Sequence, residues 1–245
     1  MKKGTEEKQQ ADKYPSTPHL PFSPAVSTRG FSMRPSSSIN MWYVLRREMR
    51  QIVTEKLDGG NCCIHQGKVF ARTHSKVADH ASFSRVKALC STISRSVPSH
   101  LKLFGENMEA IHSIVYDKLD SAFYLFSVFD EQENKFWSWH RTSEFAAEIG
   151  IPTVPVRFRG RFTSGKEMEQ LMDSLATETS CLADGATPEG FVVRWNAAEF
   201  SNGTCLTYRS SEQFERSIAK FVRKDHIQTK ENWSRTWKVA HVRTQ

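Results

Sequence analysis

Residues 55–61 read Glu-Lys-Leu-Asp-Gly-Gly-Asn and form the sharpest chemical pattern in this chain of 245 residues. The pattern places a lysine, Lys56, two residues before an aspartate that is followed by two glycines. A lysine amine is a nucleophile once its surroundings favour the neutral form, and a carboxylate is a ligand for divalent metal ions. Because Asp-Gly is also common in exposed turns, the stretch alone leaves an ordinary turn as an equal alternative.

The segments on either side predict a mixed α+β fold dominated by antiparallel sheet. Residues 61–72 predict a β-hairpin whose turn lies at Gln66-Gly67. Further predicted strands cover residues 101–105, 122–129, 135–139, 189–195 and 217–223. Predicted helices cover residues 82–95, residues 142–149 before Gly150, and a segment that begins at Ser164, where Ser164 and Glu167 predict a capping box. Strands and helices do not alternate as βαβ units, so a parallel sheet is not expected.

Four further short motifs follow the lysine motif in chain order. They are Phe-Ala-Arg-Thr-His at 70–74, Leu-Phe-Gly-Glu-Asn at 103–107, Glu-Gly-Phe-Val-Val-Arg at 189–194 and Ala-Lys-Phe-Val-Arg-Lys-Asp-His at 219–226. Together the five motifs resemble those of the covalent nucleotidyltransferase superfamily, which contains polynucleotide ligases and RNA capping enzymes. Within it the chain looks like the ATP-dependent RNA ligase family, over about residues 13–233. The resemblance implies a nucleotidyltransferase (ATP-grasp-like) core of two antiparallel sheets flanked by helices, with ATP in the cleft between them.

The resemblance implies that Lys56 is the catalytic nucleophile. Its amine would attack the α-phosphorus of ATP, expel pyrophosphate and carry AMP through a phosphoramidate bond. A free lysine is protonated near neutral pH, so the site is expected to favour the neutral amine through nearby cations such as Lys220, Arg223 and a metal. A solvated lysine at the end of a strand is the structural alternative.

The resemblance also implies a metal site and a nucleotide site. Asp58, Glu106 and Glu189 are expected to hold Mg²⁺ or Mn²⁺ beside the triphosphate, although single carboxylates are more often surface charges or members of ion pairs. The residues expected to bind the nucleotide are Glu55 (adenine amino group), Asn61, Arg72 (ribose), Glu106, Phe126 (stacked on adenine), Glu189, and Lys220 with Arg223 (α-phosphate). Arg72 and Arg194 are expected to contact RNA. Phe126 has a core position as its alternative, because its whole strand is apolar.

Two features depart from the pattern of the family. Many relatives carry Glu or Thr where this chain has Gly60, and many have Lys-x-Lys where this chain has Lys-x-x-Arg at 220–223. Whether Lys220, Arg223 or Lys224 contacts phosphate is therefore left open. His112 and His226 also lie in matching stretches, and we interpret both as satisfied structural histidines.

Composition and charge limit the class of protein. The net charge of +7 favours a polyanionic partner such as nucleic acid. The five cysteines lack disulfide or zinc spacing, and no apolar run reaches the length of a membrane span or forms a signal core. A cytoplasmic protein is expected, with a nuclear or organellar location left open.

Three segments are expected along the chain. Residues 1–40 are predicted to be flexible or extended, residues 41–235 to form the adenylyltransferase domain, and residues 236–245 to form a C-terminal tail. Four prolines between Pro15 and Pro24 exclude a helix there, while Leu20 and Phe22 suggest contact with a folded surface. Because the motifs fill residues 56–223, no OB-fold domain is expected, which favours a minimal RNA ligase.

The functional hypothesis is an ATP-dependent RNA ligase. It would join RNA 5′-phosphate and 3′-hydroxyl ends through a lysyl-AMP intermediate and adenylylated RNA, in RNA repair. One alternative is a DNA ligase or a capping-type nucleotidyltransferase. The other is a catalytically silent RNA-binding relative, in which the lysine or a metal-binding carboxylate would be expected to be lost.

Overall fold

The computed structural model describes residues 14–24, 50–72, 76–196, 217–226 and 237–243. Residues 73–74 of the second motif, residues 25–40 of the predicted N-terminal segment and residues 227–236 after the last motif lie outside the described residues. Within the described part the chain forms eleven β-strands, three α-helices and a 3₁₀ turn.

The strands form two antiparallel sheets and a short ribbon. In chain order they are β1 (Arg50–Lys56), β2 (Gly60–His65), β3 (Lys68–Ala71), β4 (Leu101–Asn107), β5 (Ala110–Ile111), β6 (Phe123–Asp130), β7 (Lys135–Phe136), β8 (Val156–Gly160), β9 (Gly190–Asn196), β10 (Ile218–Val222) and β11 (Lys238–Val239). One sheet has the order β10-β9-β1-β8, the other has the order β3-β2-β4-β6-β7, and β11 pairs with β5. The predicted α+β class with two antiparallel sheets is confirmed. β1, β5, β8 and β11 are absent from the predicted strands.

The helices agree with the predicted segments except at their starts. They are α1 (Ser84–Ile93), which follows a 3₁₀ turn at Ala81–Phe83, α2 (Trp139–Glu148) and α3 (Gly165–Thr177). α2 begins three residues before its predicted start because the Ser138 side chain accepts a hydrogen bond from the Arg141 amide. None of the three combines the length and apolar character that a membrane crossing requires.

Two local predictions can be compared with the backbone. The hairpin turn is confirmed, since Gln66 and Gly67 both have positive φ, at 49° and 67°. The capping box of α3 is half formed. Ser164 accepts from the Glu167 amide, but the Glu167 carboxylate accepts from the amide of Thr163 rather than that of Ser164.

The helices cover the outer faces of the two sheets. α1 and α2 pack on the five-stranded sheet, where the buried residues include Val86, Cys90, Ile93, Ala146, Ile64, Leu103 and Leu125. α3 packs on the four-stranded sheet, where they include Met168, Met172, Leu175, Val53, Phe191 and Val193. Two further buried clusters combine residues of both sheets, such as Ile52 with Tyr124 and Phe104 with Ile218. The inner faces of the sheets therefore face each other.

The N-terminal residues that the structure describes cover the edge of the four-stranded sheet. Pro18 accepts from the amide of Lys220 at 2.8 Å, and the Leu20 amide donates to the Lys220 carbonyl at 2.8 Å. The Ser23 hydroxyl accepts from the Val222 amide at 3.0 Å, and Leu20 is fully buried. A free edge of β10 would expose unpaired backbone groups, which this segment satisfies.

The residues after Lys56 carry the chain from one sheet to the other. β1 ends at Lys56 in the four-stranded sheet, and β2 begins at Gly60 in the five-stranded sheet. A Cβ atom at Gly59 would lie 2.6 Å from the Asn107 carbonyl oxygen and 2.7 Å from the Met108 sulfur. The close crossing therefore requires glycine at position 59.

Gly190→Ala is expected to lower the free energy of unfolding by about 1–3 kcal/mol. A Cβ atom there would lie 2.0 Å from the Phe221 carbonyl oxygen, which is held in the β9–β10 ladder. Gly60→Ala is the matched control, because its Cβ atom would meet no atom closer than 3.9 Å, and a change within about 0.5 kcal/mol is expected. Urea unfolding followed by tryptophan fluorescence measures both, and equal stabilities would contradict the close approach at Gly190.

Candidate active site

A cavity of about 750 Å³ lies between the two sheets, with lining residues from both. Its volume is in the range typical of small-molecule sites. The predicted site residues that line it are Glu55, Lys56, Asn61, Arg72, Glu106, Phe126, Glu189, Arg194, Lys220 and Arg223. Asp58 is the one predicted site residue outside the lining, and it lies next to the lining residue His226. The fold thus brings the predicted residues together, while their individual roles stay predictions.

Lys56 reaches the cavity from the end of β1. It pairs with Gly190 of β9, and strand alternation puts it on the same face as Thr54. The Lys56 amine donates to Glu189 Oε2 at 2.6 Å. Its side chain is 29% exposed, against 5% for Glu189, so the amine stays reachable from the cavity.

The carboxylates around Lys56 act on its pKa in the direction opposite to that expected of nearby cations. Burial lowers the pKa, but the charge of Glu189, the charge of Glu106, the hydrogen bond to Glu189 and the charge of Asp58 raise it, and the net pKa is above its ordinary value. The reason is that three carboxylates face the amine. A divalent cation on these carboxylates would offset their charge and favour the neutral amine.

Asp58 is anchored through one of its two carboxylate oxygens. Oδ2 accepts from the Ser113 amide at 2.8 Å, the Ser113 hydroxyl at 2.5 Å and the Ile114 amide at 3.0 Å. The Asp58 amide donates to the Tyr116 hydroxyl at 2.9 Å. The other oxygen, Oδ1, lies 3.8 Å from His226 Nε2. These contacts fix the carboxylate and direct Oδ1 towards His226.

The interpretation of His226 as a satisfied structural histidine is corrected by the structure. Its side chain is 3% exposed, and its Nδ1 atom has no hydrogen-bond partner among the described residues. Its Nε2 atom faces Asp58 and also Glu189, whose Oε1 is 3.6 Å away. One ligand atom from each of Asp58, Glu189 and His226 lies within 4.8 Å of the others. The donor set of two oxygens and one nitrogen fits a divalent metal ion.

Glu106 lies beside these three residues but does not belong to their cluster. It is on β4, opposite Asn61 of β2. Burial raises the pKa of Glu106 to about 8, with Lys56 and Arg72 acting against the rise and Glu189 and Asp58 adding to it. Burial and the neighbouring carboxylates therefore disfavour the charged form of Glu106. For Glu106 to bind a metal as predicted, the positive charge of that cation must lower the pKa of its carboxyl.

Glu55 is buried by a set of protein contacts on the face of β1 opposite to Lys56. Its Oε1 accepts from Arg157 Nη1 at 2.5 Å and from the Cys181 amide at 2.8 Å. Its Oε2 accepts from the Ser180 hydroxyl at 2.7 Å. The Cys181 side chain also hydrogen-bonds to Glu55, so the protein itself satisfies most of the about four acceptor positions of this carboxylate.

Arg194 joins the two sheets at the inner wall of the cavity. Its guanidinium donates to Thr54 Oγ1 of β1 at 2.5 Å and to the Phe126 carbonyl of β6 at 3.4 Å. The guanidinium carbon also lies 4.8 Å from the centre of the Trp139 ring. The Phe126 ring is half-buried and meets Tyr14 edge-on at 5.0 Å. Phe126 is thus both a packing residue and a wall of the cavity.

The basic residues of the last motif have different contacts. The Arg223 side chain donates to the Pro188 carbonyl at 2.9 Å, and its amide donates to the Glu189 carbonyl at 3.1 Å. Arg223 therefore holds the backbone around Glu189. Lys220 and the exposed Lys224 both line the cavity. The residue that contacts phosphate is not decided by these contacts.

The sequence analysis missed several residues that support the site. They are Ser113, Tyr116, Arg157, Ser180 and, as a residue of the cluster, His226. The one available signal was a histidine, a common metal ligand, inside a motif that also carries predicted site residues. Its partners lie 37 or more positions earlier in the chain, so no local spacing could indicate the contact.

An orphaned polar atom supports a nucleotide-like ligand in the cavity. The Asn61 Oδ1 atom is buried and has no hydrogen-bond partner among the described residues, although Asn61 lines the cavity. Leaving a buried acceptor unpaired costs about 1–3 kcal/mol. A ligand with an amino or hydroxyl donor, such as a nucleoside, would satisfy it.

Comparison with known proteins identifies the family of this chain. A family model described as RNA ligase matches residues 49–222, which is well over half of the chain. The chain belongs to the RNA ligase family. No curated protein sequence matches it.

Solved structures of the Naegleria gruberi RNA ligase share the fold. A lysine-to-alanine mutant with ATP and Mn has a TM-score of 0.57 and 14% identity, over 87% of this chain and 57% of that one. A glutamate-to-alanine mutant with AMP and Mn has a TM-score of 0.52 and 15% identity, over 76% of this chain and 53% of that one. The chain thus spans little more than half the length of these proteins. The likeness confirms the nucleotidyltransferase-type core.

Glu189→Gln is expected to lower the pKa of Lys56 in the protein without metal or ATP. The substitution removes the carboxylate charge that raises this pKa most, while the effect of burial, which lowers it, remains. Labelling by an amine-reactive reagent across a pH series, read by mass spectrometry, would show Lys56 reacting at lower pH. Glu131→Gln is the control, because Glu131 pairs with Lys102 and His65 instead. An unchanged Lys56 profile in Glu189→Gln would refute the coupling.

Proposed function

We propose that this chain is an ATP-dependent RNA ligase that joins RNA 5′-phosphate and 3′-hydroxyl ends, with a role in RNA repair. The observation that carries the proposal is Lys56, whose partly exposed side chain lines a nucleotide-sized cavity beside clustered carboxylates. Membership of the RNA ligase family supports the reaction class. The Naegleria gruberi structures with ATP or AMP and Mn support the choice of nucleotide and of a divalent metal.

The first step would form a bond between Lys56 and the α-phosphorus of ATP. The neutral amine attacks, the new nitrogen–phosphorus bond forms, and pyrophosphate leaves with the electron pair of the broken bond. The amine loses its proton in this step. Glu189 Oε2, at 2.6 Å, holds the amine in place before the attack.

The nucleotide would lie in the cavity with its base beside Phe126. Asn61 Oδ1 would accept a hydrogen bond from the nucleoside, and Glu55, at the wall of the cavity, would contact the adenine amino group. Lys220 and Arg223, or Lys224, would neutralise the phosphates. A divalent metal on Asp58 and Glu189, with Glu106 nearby, would withdraw charge from the phosphate oxygens.

Two further steps would complete the sealing of RNA. An oxygen of the RNA 5′-phosphate attacks the phosphorus of the lysyl-AMP, so that the phosphorus–nitrogen bond breaks and the lysine amine is restored. The 3′-hydroxyl oxygen of the second RNA end then attacks the 5′-phosphorus and releases AMP. Arg72 and Arg194 are the residues proposed to contact RNA, and the net charge of +7 favours its approach.

Incubation with ATP labelled at the α-phosphate and a divalent metal is expected to label the protein covalently through Lys56. Lys56→Arg keeps the charge but replaces the amine, so it should retain no label on a denaturing gel. Lys118→Arg is the matched control, since Lys118 lies outside the cavity lining and pairs with Asp184. Label from GTP instead would indicate a capping-type enzyme. No label on folded wild-type protein would indicate a catalytically silent relative.

Sealing is expected to require RNA ends. With ATP and a divalent metal, the protein should join a 5′-phosphorylated RNA strand to a 3′-hydroxyl RNA end, and joining should fail when the 5′-phosphate is removed, because that phosphate is the group that accepts AMP. Gel separation of labelled strands measures the product. Equally fast joining of the same sequence made as DNA would favour a DNA ligase.

A further inference from the structure

Two carboxylates and one imidazole of the site converge on a single point. Glu189 uses Oε2 for the Lys56 amine, and its Oε1 lies 3.6 Å from His226 Nε2. Asp58 uses Oδ2 for the amides and hydroxyl at residues 113–114, and its Oδ1 lies 3.8 Å from the same nitrogen. Each carboxylate therefore keeps one oxygen directed at His226.

The distances are too long for hydrogen bonds but suit ligands that share an ion. Hydrogen bonds between nitrogen and oxygen span about 2.7–3.2 Å. Around an ion with ligand distances of about 2.1 Å, two ligands at right angles are about 3.0 Å apart and two opposite ligands about 4.2 Å apart. The separations of 3.6 and 3.8 Å fall between these limits.

The hydrogen bonding of His226 also points to a cation. The side chain is only 3% exposed, so Nε2 faces Asp58 and Glu189 with little access to water. If Nε2 carries no proton, its lone pair faces two carboxylate oxygens, which is unfavourable without a cation between them. If Nε2 carries the proton, both of its distances to oxygen are too long for a strong bond. A metal ion at the shared point gives the imidazole lone pair a partner.

From this geometry we propose that His226 is a direct ligand of the divalent metal, together with Asp58 and Glu189, and that its nitrogen makes the site prefer Mn²⁺ to Mg²⁺. Mg²⁺ binds almost entirely through oxygen, whereas imidazole is a good ligand for first-row transition metals. The catalytic role of this metal rests on the proposed function. The contacts that define the metal site do not.

The decisive measurement is the electron spin echo modulation of Mn²⁺ bound to the 245-residue chain without nucleotide. Coupling to an imidazole ¹⁴N nucleus is expected in the wild type. Labelling of histidine with ¹⁵N should replace the ¹⁴N modulation with a ¹⁵N modulation. A wild-type spectrum without this coupling decides against His226 even if a variant fails to fold, and loss of the coupling in folded His226→Gln assigns it to His226. Bound Mn²⁺ without nitrogen coupling would overturn the proposal, as would no binding of Mn²⁺ at millimolar concentration.

Affinity measurements with variants provide a second readout. His226→Gln is expected to lose the nitrogen coupling and to bind Mn²⁺ at least about tenfold more weakly by titration, with a smaller change for Mg²⁺. His112→Gln is the matched control, because His112 also lines the cavity but lies outside the three-residue cluster. Equal Mn²⁺ affinity in folded His226→Gln and wild type would refute the assignment.

The two hypotheses fail in different ways. Covalent labelling of Lys56 by ATP without nitrogen coupling would leave the ligase intact and remove His226 from the metal site. Nitrogen coupling without covalent labelling would keep the metal site and reject the ligase.

Discussion

The pairing of β1 with β9 is the constraint on which the rest of the site depends. Its register runs without a break from Arg50 opposite Asn196 to Lys56 opposite Gly190. This register places the Lys56 amine next to the carboxylate of Glu189, the residue just before β9. Because side chains alternate along a strand, a slip of one residue would turn Lys56 to the other face of the sheet. The ladder therefore determines where the nucleophile and the carboxylate meet.

The active site brings three carboxyl groups close together in a partly buried position. Glu189, Glu106 and Asp58 all act on Lys56, and the pKa of Glu106 rises to about 8 because burial and its carboxylate neighbours disfavour its charged form. A structure that keeps such a cluster gains little stability from it. The arrangement becomes favourable when a cation joins it, which connects the electrostatics of the ligand-free protein to metal-dependent chemistry.

Local signals predicted local structure well. The hairpin at Gln66-Gly67 and the helix that ends before Gly150 depend on backbone angles that short sequences encode, and both are present. β8 was missed although its sequence, Val-Arg-Phe-Arg-Gly, alternates apolar and charged residues, and one of its arginines, Arg157, binds Glu55. The low pKa expected for Lys56 depends on Lys220, Arg223 and a metal. The charges of Glu189, Glu106 and Asp58 act on this pKa in the opposite direction and raise it.

The sequence by itself determined the order of the motifs and the α+β class of the fold, because these depend on residue types and on spacings within a few positions. Its resemblance to the RNA ligase family supplied the predicted site residues. Only the tertiary structure decided that His226 faces Asp58 and Glu189, that Glu55 is occupied by Arg157 and Ser180, and that Asn61 is left with an unpaired oxygen. The physical reason is that these contacts join residues far apart in the chain. Their geometry depends on how the two sheets pack, and no local pattern encodes that packing.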